Sequence, residues 1–233
     1  MQISEVKNID CQIMLSEYSD KYFDLAIIDP QYGIGWTTTI KQDTEKKIKA
    51  QKKARYKKHE DKDWDKEPMS KEFFIEIQRV SKNQIIFGAN YFIDRLPNPN
   101  TKCWIYWHKM NTKFTAVTDE QAWTSFDKKP LPIFLDGNTE KGFLNKYGSN
   151  MHPTQKPIAL YEIILKHFAK QGDKILDTHL GSGSSRIAAH KLGFDFYGFE
   201  IDDVYFENSD KRFQLYLQEQ AILSKQHALF KCE

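Results

Sequence analysis

Apolar residues occur along the chain in short runs that alternate between strand-like and helix-like spacing. The run "FDLAIID" is compact and flanked by turn residues, which is typical of a strand in a parallel sheet covered on both faces. "NQIIFGA" and "TKCWIYWHK" predict two further strands. Between them, "EPMSKEFFIEIQRVSK" predicts an amphipathic helix, since Phe73, Phe74, Ile77 and Val80 fall near helical spacing and Ser70 is suited to cap it.

The last third of the chain has the most regular pattern. A helix "KPIALYEIILKHFAK", entered through Pro157, is followed by the strand "DKILDTHL", a glycine turn, the helix "SSRIAAHKLG" and the strand "FDFYGFEID". A terminal helix is predicted from Tyr205 to about Leu223. This β-α-β order predicts a right-handed crossover and a parallel pair. We therefore expect an α/β fold with a doubly wound, mostly parallel sheet, in which ligands bind beyond the carboxyl ends of the strands.

Hydrophobic residues make up 40% of the 233 residues, which is enough to bury the core of one domain spanning residues 1–233. Residues 111–149 are rich in Pro, Gly, Asn and Lys, so we expect mostly loop there. The sequence contains no apolar run of 18 residues, and "MQISEVKNID" lacks the features of a signal peptide. Three widely spaced cysteines favour neither a disulfide framework nor a zinc cluster. These features predict a cytoplasmic protein with no membrane partner and no metal.

A formal net charge of +2 conceals an uneven distribution. Residues 41–66 carry eleven Lys and Arg against six Asp and Glu, which is 11 − 6 = +5, and residues 46–58 carry eight positive charges and no acid. This lysine-rich insertion, residues 36–66, has two open interpretations. It forms either a solvated surface segment or an arm that binds a polyanion, because neutralising phosphates releases counterions.

A glycine turn in "ILDTHLGSGSSRIAAHKLGFDFYGFEID" lies between two predicted strands. Asp177 ends the first strand, Gly181 and Gly183 form the turn, and Glu200 ends the second strand. Glycines allow a ligand close to the backbone at a helix N-terminus, and an acid at the next strand tip can accept hydrogen bonds from a ribose. Arg186 stands where a dinucleotide fingerprint has its third glycine, which argues against NAD. A nucleoside cofactor is predicted, with an ordinary tight turn as the alternative.

Three stretches, "DPQYG", "NMHPTQKP" and "ILDTHLGSGSS", occur together in this order. In them the chain resembles the β class of S-adenosylmethionine-dependent DNA amino-methyltransferases, in which the catalytic segment precedes the cofactor segment. The resemblance covers nearly the whole chain, including "GANYF" and "DEQAWTSF", and the combination of "HPTQKP", a helix and "DxxxGSG" is highly specific. It implies the class I methyltransferase fold, which is Rossmann-like, and a small loop-rich target-recognition region.

The resemblance assigns the cofactor, S-adenosyl-L-methionine, to a defined set of residues. Asp10 and the backbone at Cys11 would contact its adenine, Glu200 its ribose, and the glycine turn its sulfonium and amino-acid portion. Thr154 and Lys156, with Ser184 or Ser185, would hold its carboxylate, although a solvent-exposed Lys156 is the alternative. The full predicted set is Asp10, Cys11, Asp29, Thr154, Lys156, Asp177, His179, Gly181, Ser182, Gly183, Ser184, Ser185, Glu200 and Ile201.

The predicted catalytic residues are Asp29, Pro30 and Tyr32. The exocyclic amine of adenine is a poor nucleophile because its lone pair is delocalised into the ring. Hydrogen bonds from the amine to the Asp29 carboxylate and the Pro30 carbonyl would aim that lone pair at the methyl group, so positioning and preorganised charge carry the chemistry. Tyr32 would stack on a base flipped out of the duplex. An acid at the head of the tetrad goes with adenine in this family.

Substrate contacts are predicted next to the catalytic tetrad, in the lysine-rich insertion and in residues 111–147, the candidate target-recognition segment. The residues are Gln31, Gly33, Lys46, Lys47, Lys52, Lys53, Arg55, Lys128 and Lys129. The expected macromolecular partner is duplex DNA. A homodimer and a cognate restriction endonuclease, as in a restriction-modification system, both remain open.

Three positions depart from the family pattern. Gln31 replaces the second proline of the usual DPPY tetrad, His179 replaces a phenylalanine near the cofactor, and His108 in "WIYWHK" stands where an acid is common. A charged imidazole beside a sulfonium is unfavourable, so we expect His179 to be neutral. Two alternatives to DNA adenine methylation therefore stay open. One is methylation of RNA, cytosine N4 or a protein amide, and the other is a catalytically degenerate methyltransferase fold that only binds nucleic acid.

Overall fold

The computed structural model describes residues 2–34, 66–110, 119–136 and 155–230. Within these ranges the strands are β1 (Ser4–Asn8), β2 (Phe23–Ile28), β3 (Ser81–Phe87), β4 (Trp104–His108), β5 (Asp119–Thr124), β6 (Leu131–Phe134), β7 (Lys174–Asp177) and β8 (Asp195–Glu200). The α-helices are α1 (Cys11–Leu15), α2 (Lys71–Val80), α3 (Ile158–Phe168), α4 (Ser184–Lys191) and α5 (Asp203–Phe230). Two short 3₁₀ turns, Ala89–Tyr91 and Ile93–Arg95, follow β3.

The described strands form one sheet in the order β1-β8-β7-β2-β3-β5-β4-β6. The first five of these run parallel to one another, and β4 and β6 are also parallel. Strand β5 is antiparallel to both of its neighbours, β3 and β4. The predicted mostly parallel sheet is therefore confirmed.

Two separate groups of buried side chains lie on the two faces of this sheet. One contains Leu15 of α1 and the apolar stripe of α2, including Phe74 and Ile77. The other contains residues of α3, α4 and α5, such as Leu160 and Phe213. A parallel sheet is stable only when helices cover both faces, which explains why its strands carry continuous apolar runs. The doubly wound α/β fold is confirmed.

Most predicted elements are present with small shifts at their ends. The amide of Phe73 donates to the Ser70 hydroxyl, 3.3 Å away, so the predicted cap of α2 is correct. Strand β1 and helix α1 were not predicted, and α5 begins two residues earlier and ends later than expected.

The expectation of mostly loop in residues 111–149 is wrong for β5 and β6. Strand β5 begins with Asp119, Glu120 and Gln121, which are typical of a surface loop, and only its second half is buried. That half lies between β3 and β4, and Trp123 is just 2% exposed. Burial between two neighbours outweighs the low strand propensity of the polar half.

The antiparallel direction of β5 determines what lies at the carboxyl edge of the parallel strands. The amide of Gly88, directly after β3, donates to the Gln121 carbonyl at 2.9 Å, and Trp107 of β4 pairs with Glu120. The start of β5 therefore lies beside the ends of β3 and β4.

Candidate active site

Asp29 lies directly after β2, at the carboxyl edge of the sheet, and both of its carboxylate oxygens accept hydrogen bonds. The Tyr32 hydroxyl donates to Oδ1 at 2.7 Å, and the Lys156 ammonium donates to Oδ2 at 2.6 Å. Lys156 Nζ also lies 3.3 Å from the Tyr32 hydroxyl oxygen. Two predicted catalytic residues and one predicted cofactor residue therefore form a single cluster, in which Lys156 is buried rather than solvent-exposed.

The ring of Tyr32 forms part of an aromatic surface at the same edge. It stacks on Tyr91, with centroids 5.4 Å apart and planes inclined by 19°, and Tyr91 is 46% exposed. The ring also packs against the backbone of Gly88, whose φ is +68°. Burial and the nearby Asp29 carboxylate hold the pKa of Tyr32 well above its usual value, so its hydroxyl stays protonated and donates. The stretch "GANYF" contributes to the family resemblance, but the sequence alone assigns no role to Gly88 or Tyr91.

The glycine turn after β7 is tied to the end of β8. The amide of Gly181 donates to Glu200 Oε2 at 2.8 Å, and that of Asp202 donates to Oε1 at 3.0 Å. Gly181 and Gly183 have φ of +51° and +73°, a region that L side chains rarely adopt. Burial raises the pKa of Glu200 even though it accepts these backbone hydrogen bonds. The predicted turn and the predicted ribose acid thus form one continuous rim.

Asp177, at the end of β7, is 2% exposed and accepts hydrogen bonds from the Ser185 hydroxyl and from the amide of His179. Burial raises the pKa of Asp177 to about 7. The neighbouring His179 packs edge-on against Phe73, with centroids 5.6 Å apart. Burial lowers the pKa of His179 to about 4, which agrees with the expected neutral imidazole.

A buried arginine from α5 supports the same turn. Arg212 is 1% exposed, and its Nη1 donates to the Ser182 carbonyl and to the Ser184 hydroxyl, both at 2.9 Å. The hydroxyls of Ser184 and Ser185 both point into protein contacts, so the backbone amides of the first turn of α4 are the natural donors to an anionic ligand. Sequence reasoning missed Arg212, because nothing near it in the sequence indicates that α5 crosses behind the turn.

The remaining predicted cofactor contacts lie around the end of β8. Asp10 caps α1 by accepting from the amide of Gln12 at 2.9 Å, and the amide of Ile9 donates to the Glu200 carbonyl at 3.0 Å. Cys11 is buried, which raises the pKa of its thiol to about 12. Ile201, directly after β8, is 67% exposed. The structure therefore brings Asp10, Cys11 and Ile201 together beside Glu200.

Pro30 is buried beside Asp29, Gln31 is partly exposed, and Gly33 adopts a φ of +72° against Pro68. Lys128 and Lys129 follow the far end of β5, at the sheet edge opposite Asp29. There the Lys128 ammonium donates to the carbonyl of His167, the penultimate residue of α3, at 3.0 Å. The structure does not bring these two lysines to the predicted substrate site. The other predicted substrate and cofactor residues lie outside the described ranges: Lys46, Lys47, Lys52, Lys53, Arg55 and Thr154.

Within the described ranges, no three His, Cys, Asp or Glu side chains are grouped as metal ligands would be. Among the helices that the structure describes, none has the length and apolar character needed to cross a membrane.

Comparison with known proteins assigns this arrangement to a class. The structure is similar to the crystal structure of the M1.HpyAVI-SAM complex, with a TM-score of 0.58, 19% identity and coverage of 90% of this chain and 98% of that one. At this level of identity the likeness shows that the two proteins share a fold. A family model described as DNA methylase, N6_N4_Mtase, matches residues 13–211. The chain belongs to this DNA methylase family.

Two curated relatives match at 32% identity. The type II methyltransferase M2.DpnII of Streptococcus pneumoniae matches over 126 residues, which are 51% of this chain and 47% of that protein. The type II methyltransferase M2.LlaDCHI of Lactococcus lactis subsp. cremoris matches over 124 residues, which are 50% of this chain and 46% of that protein. The matched region thus spans about half the length of each relative.

Proposed function

We propose that the chain is a site-specific DNA methyltransferase that transfers a methyl group from S-adenosyl-L-methionine to the exocyclic N6 amine of a flipped-out adenine. The observation that carries this proposal is the meeting of two sites at one sheet edge. Asp29 and Asp177 end the adjacent strands β2 and β7, so the acid–tyrosine cluster lies beside the glycine turn. Methyl transfer requires the amine and the methyl donor to meet in this way.

The described residues fit this cofactor. Gly181 and Gly183 allow close approach of a ligand to the turn, Glu200 lies at the next strand end, and Ile201 offers an exposed apolar surface for a purine. When bound, S-adenosylmethionine supplies an electrophilic methyl group on a positively charged sulfur. Asp10, Glu200 and Ile201 would hold its nucleoside, and the turn would hold its amino-acid portion.

In this mechanism Asp29 Oδ1 and the Pro30 carbonyl accept hydrogen bonds from the adenine amine. The Tyr32 hydroxyl that occupies Oδ1 would give way to the amine. Bound S-adenosylmethionine would supply the methyl group, with its sulfur as the leaving group, and Asp29 would hold the amine and take up the proton that its nitrogen loses. The Tyr32–Tyr91 pair offers a flipped base an aromatic surface, and such stacking is worth about 1–3 kcal/mol per base.

Duplex DNA is the proposed macromolecular partner, and the cytoplasm is the proposed location. The name "type II methyltransferase" of the two relatives supports a restriction-modification role. A cognate endonuclease and a second copy of the chain remain predictions.

The direct test is transfer of labelled methyl from S-adenosylmethionine to unmethylated genomic DNA, followed by base analysis and mapping of modified positions. N6-methyladenine in one recurring short motif is the expected result. Detection of N4-methylcytosine instead would show that the target base is cytosine rather than adenine. Better competition by RNA than by duplex DNA would change the substrate class, and cofactor binding without transfer would support a degenerate fold.

The lysine-rich insertion gives a salt-dependent prediction. Replacing Lys46, Lys47, Lys52, Lys53 and Arg55 by glutamine removes five positive charges. Since each phosphate contact contributes about 0.9 to the magnitude of the slope of log affinity against log salt, that magnitude is expected to fall by up to about 4.5. Binding of a duplex at two salt concentrations measures this. Equal slopes for the variant and the original chain would make the insertion a solvated surface segment.

The buried Asp177 predicts that cofactor affinity depends on pH. With a folded pKa of about 7, Asp177 is neutral at pH 6 and ionised at pH 8. Its ionised form attracts a cation, so affinity for S-adenosylmethionine is expected to rise by up to about tenfold over this range. S-adenosylhomocysteine, which lacks the sulfonium charge, should change less. Calorimetric titration of both ligands tests this, and equal pH dependence of the two would contradict it.

The same group has a stability consequence of known sign. The folded protein binds a proton at Asp177 more tightly than the unfolded chain does. The contribution of Asp177 to the free energy of unfolding therefore falls as pH rises from about 4 to about 7. Asp177→Asn should remove this part of the pH dependence of the denaturation midpoint.

A further inference from the structure

A chain of four charged groups with alternating sign extends from Asp29 across the ends of three strands. Lys156 Nζ lies 2.6 Å from Asp29 Oδ2 and 3.1 Å from Glu120 Oε2. Lys109, directly after β4, pairs with the other oxygen of Glu120. Asp29 follows β2, Glu120 belongs to β5, and Lys156 precedes α3, so three distant parts of the sequence build this network.

The cation at the centre of the network is enclosed by the protein. The side chain of Lys156 is 4% exposed, and its Nζ lies 4.7 Å from the ring centroid of Phe87 and 5.8 Å from that of Tyr32. Burying an ammonium costs several kcal/mol unless anions compensate it. Here the two carboxylates do so: burial alone would lower the pKa of Lys156, but Asp29 and Glu120 together raise it. Lys156 is therefore held as a cation.

Glu120 is held as an anion by the same arrangement. Burial alone would raise its pKa, but Lys156 and Lys109 lower it. Its two ion pairs are with Lys156 and Lys109, and Lys156 is the residue that it shares with Asp29. Its position results from the antiparallel direction of β5, which brings the first residues of that strand to the edge where β4 ends.

We propose that Lys156 and Glu120 are positioning residues for the catalytic carboxylate, an inference that rests on the proposed methyltransferase function. Lys156 binds Oδ2 and so fixes the rotation of the Asp29 side chain, which leaves Oδ1 as the oxygen that exchanges the Tyr32 hydroxyl for the amine of the target base. Glu120 holds the Lys156 ammonium on the side away from Asp29 and partly neutralises its positive charge. Asp29 therefore keeps enough negative charge to accept a hydrogen bond from the amine.

This role differs from the one that the family resemblance assigns to Lys156. There the lysine holds the carboxylate of the cofactor, whereas in the structure its ammonium already lies between two protein carboxylates. The two roles predict different losses. A cofactor ligand would weaken cofactor binding when removed, whereas a positioning residue would slow the transfer step and leave the dissociation constant unchanged.

The kinetic test uses Lys156→Met and Glu120→Gln, with Glu207→Gln as the matched control. Glu207 lies on α5, is 67% exposed and pairs with Lys211 of the same helix. We expect the single-turnover rate constant to fall about 10²-fold for Lys156→Met and about tenfold for Glu120→Gln, with the cofactor dissociation constant within about twofold of its original value. Glu207→Gln should keep the original rate.

Two kinetic results would overturn the inference. A tenfold rise in the cofactor dissociation constant of Lys156→Met would make the lysine a cofactor ligand. A rate constant for Glu120→Gln equal to that of Glu207→Gln would reduce the network to a structural contact. If Lys156→Met fails to fold, Glu120→Gln alone decides, because it retains the ion pair between Lys156 and Asp29.

A double-mutant cycle tests the network without any methyl transfer. Lys156 pairs with both Asp29 and Glu120, so the shifts in denaturation midpoint of Asp29→Asn and Glu120→Gln should be non-additive by about 3 °C in the original chain and nearly additive with Lys156→Met. If the two shifts are non-additive but the protein transfers no methyl group, the proposed function is refuted and the network is supported. Methyl transfer by a chain with additive shifts would refute the network and retain the function.

Discussion

Replacing Asp29 by asparagine should lower the single-turnover rate of methyl transfer by about 10³-fold, the larger end of losses seen when one preorganised charge contact is removed. Asparagine keeps the shape of the side chain and one carbonyl acceptor. It lacks the negative charge that stabilises the positive charge developing on the amine nitrogen. Lys156 retains Glu120 as a counterion in this variant, so the fold should survive.

The matched control for Asp29→Asn is Asp20→Asn. Asp20 pairs with Arg79 at the protein surface and is 77% exposed, so its replacement should leave the rate unchanged. Rapid-quench measurement with labelled cofactor and saturating duplex gives both rates. If Asp29→Asn keeps more than about a tenth of the original rate, Asp29 does not carry the charge stabilisation assigned to it.

Replacing Gly88 by alanine should cost at least about 10²-fold in rate, because misplacing a catalytic group by about 1 Å has effects of this size. A methyl group on Gly88 would overlap the ring of Tyr32. The ring would have to leave its position beside Asp29 and against Tyr91. Gly88 also has a φ of +68°, so alanine there costs about 1–2 kcal/mol in backbone energy as well.

Gly172→Ala separates these two effects. Gly172 has a φ of +89°, but a methyl group added there meets no atom within 4 Å. Both variants should therefore lower the denaturation midpoint, and only Gly88→Ala should slow methyl transfer. Equal rates for the two variants would show that the position of the Tyr32 ring does not control the reaction.

The sequence predicts those parts of the site that lie within single segments. Asp29 with Tyr32, and Gly181 with Gly183, are each a few residues apart, so the local motif already implies their geometry. The position of Glu200 beside the glycine turn could also be predicted, because parallel strands end at the same edge of a sheet.

Contacts between distant segments could not be predicted from the sequence. Glu120 is the second residue of a strand whose first half is as polar as a loop, and only the pairing of that strand with β3 and β4 brings the carboxylate to Lys156. Arg212 lies on a terminal helix, and the crossing of that helix behind the glycine turn is a tertiary property. The same limitation explains why the sequence alone placed Lys128 at the substrate site. The direction of β5, which the sequence does not reveal, places Lys128 at the opposite edge of the sheet.

The reversed direction of β5 also has an evolutionary consequence. It brings the connection from β4 to β5 to the edge that holds Asp29, where the connections from β2 to α2 and from β6 to α3 also start and finish. Such connections can change in length and sequence without shifting the register of any strand. Relatives could therefore diverge in the DNA sequence they recognise by exchanging these connections as modules, while one inherited sheet keeps the reactive groups in place.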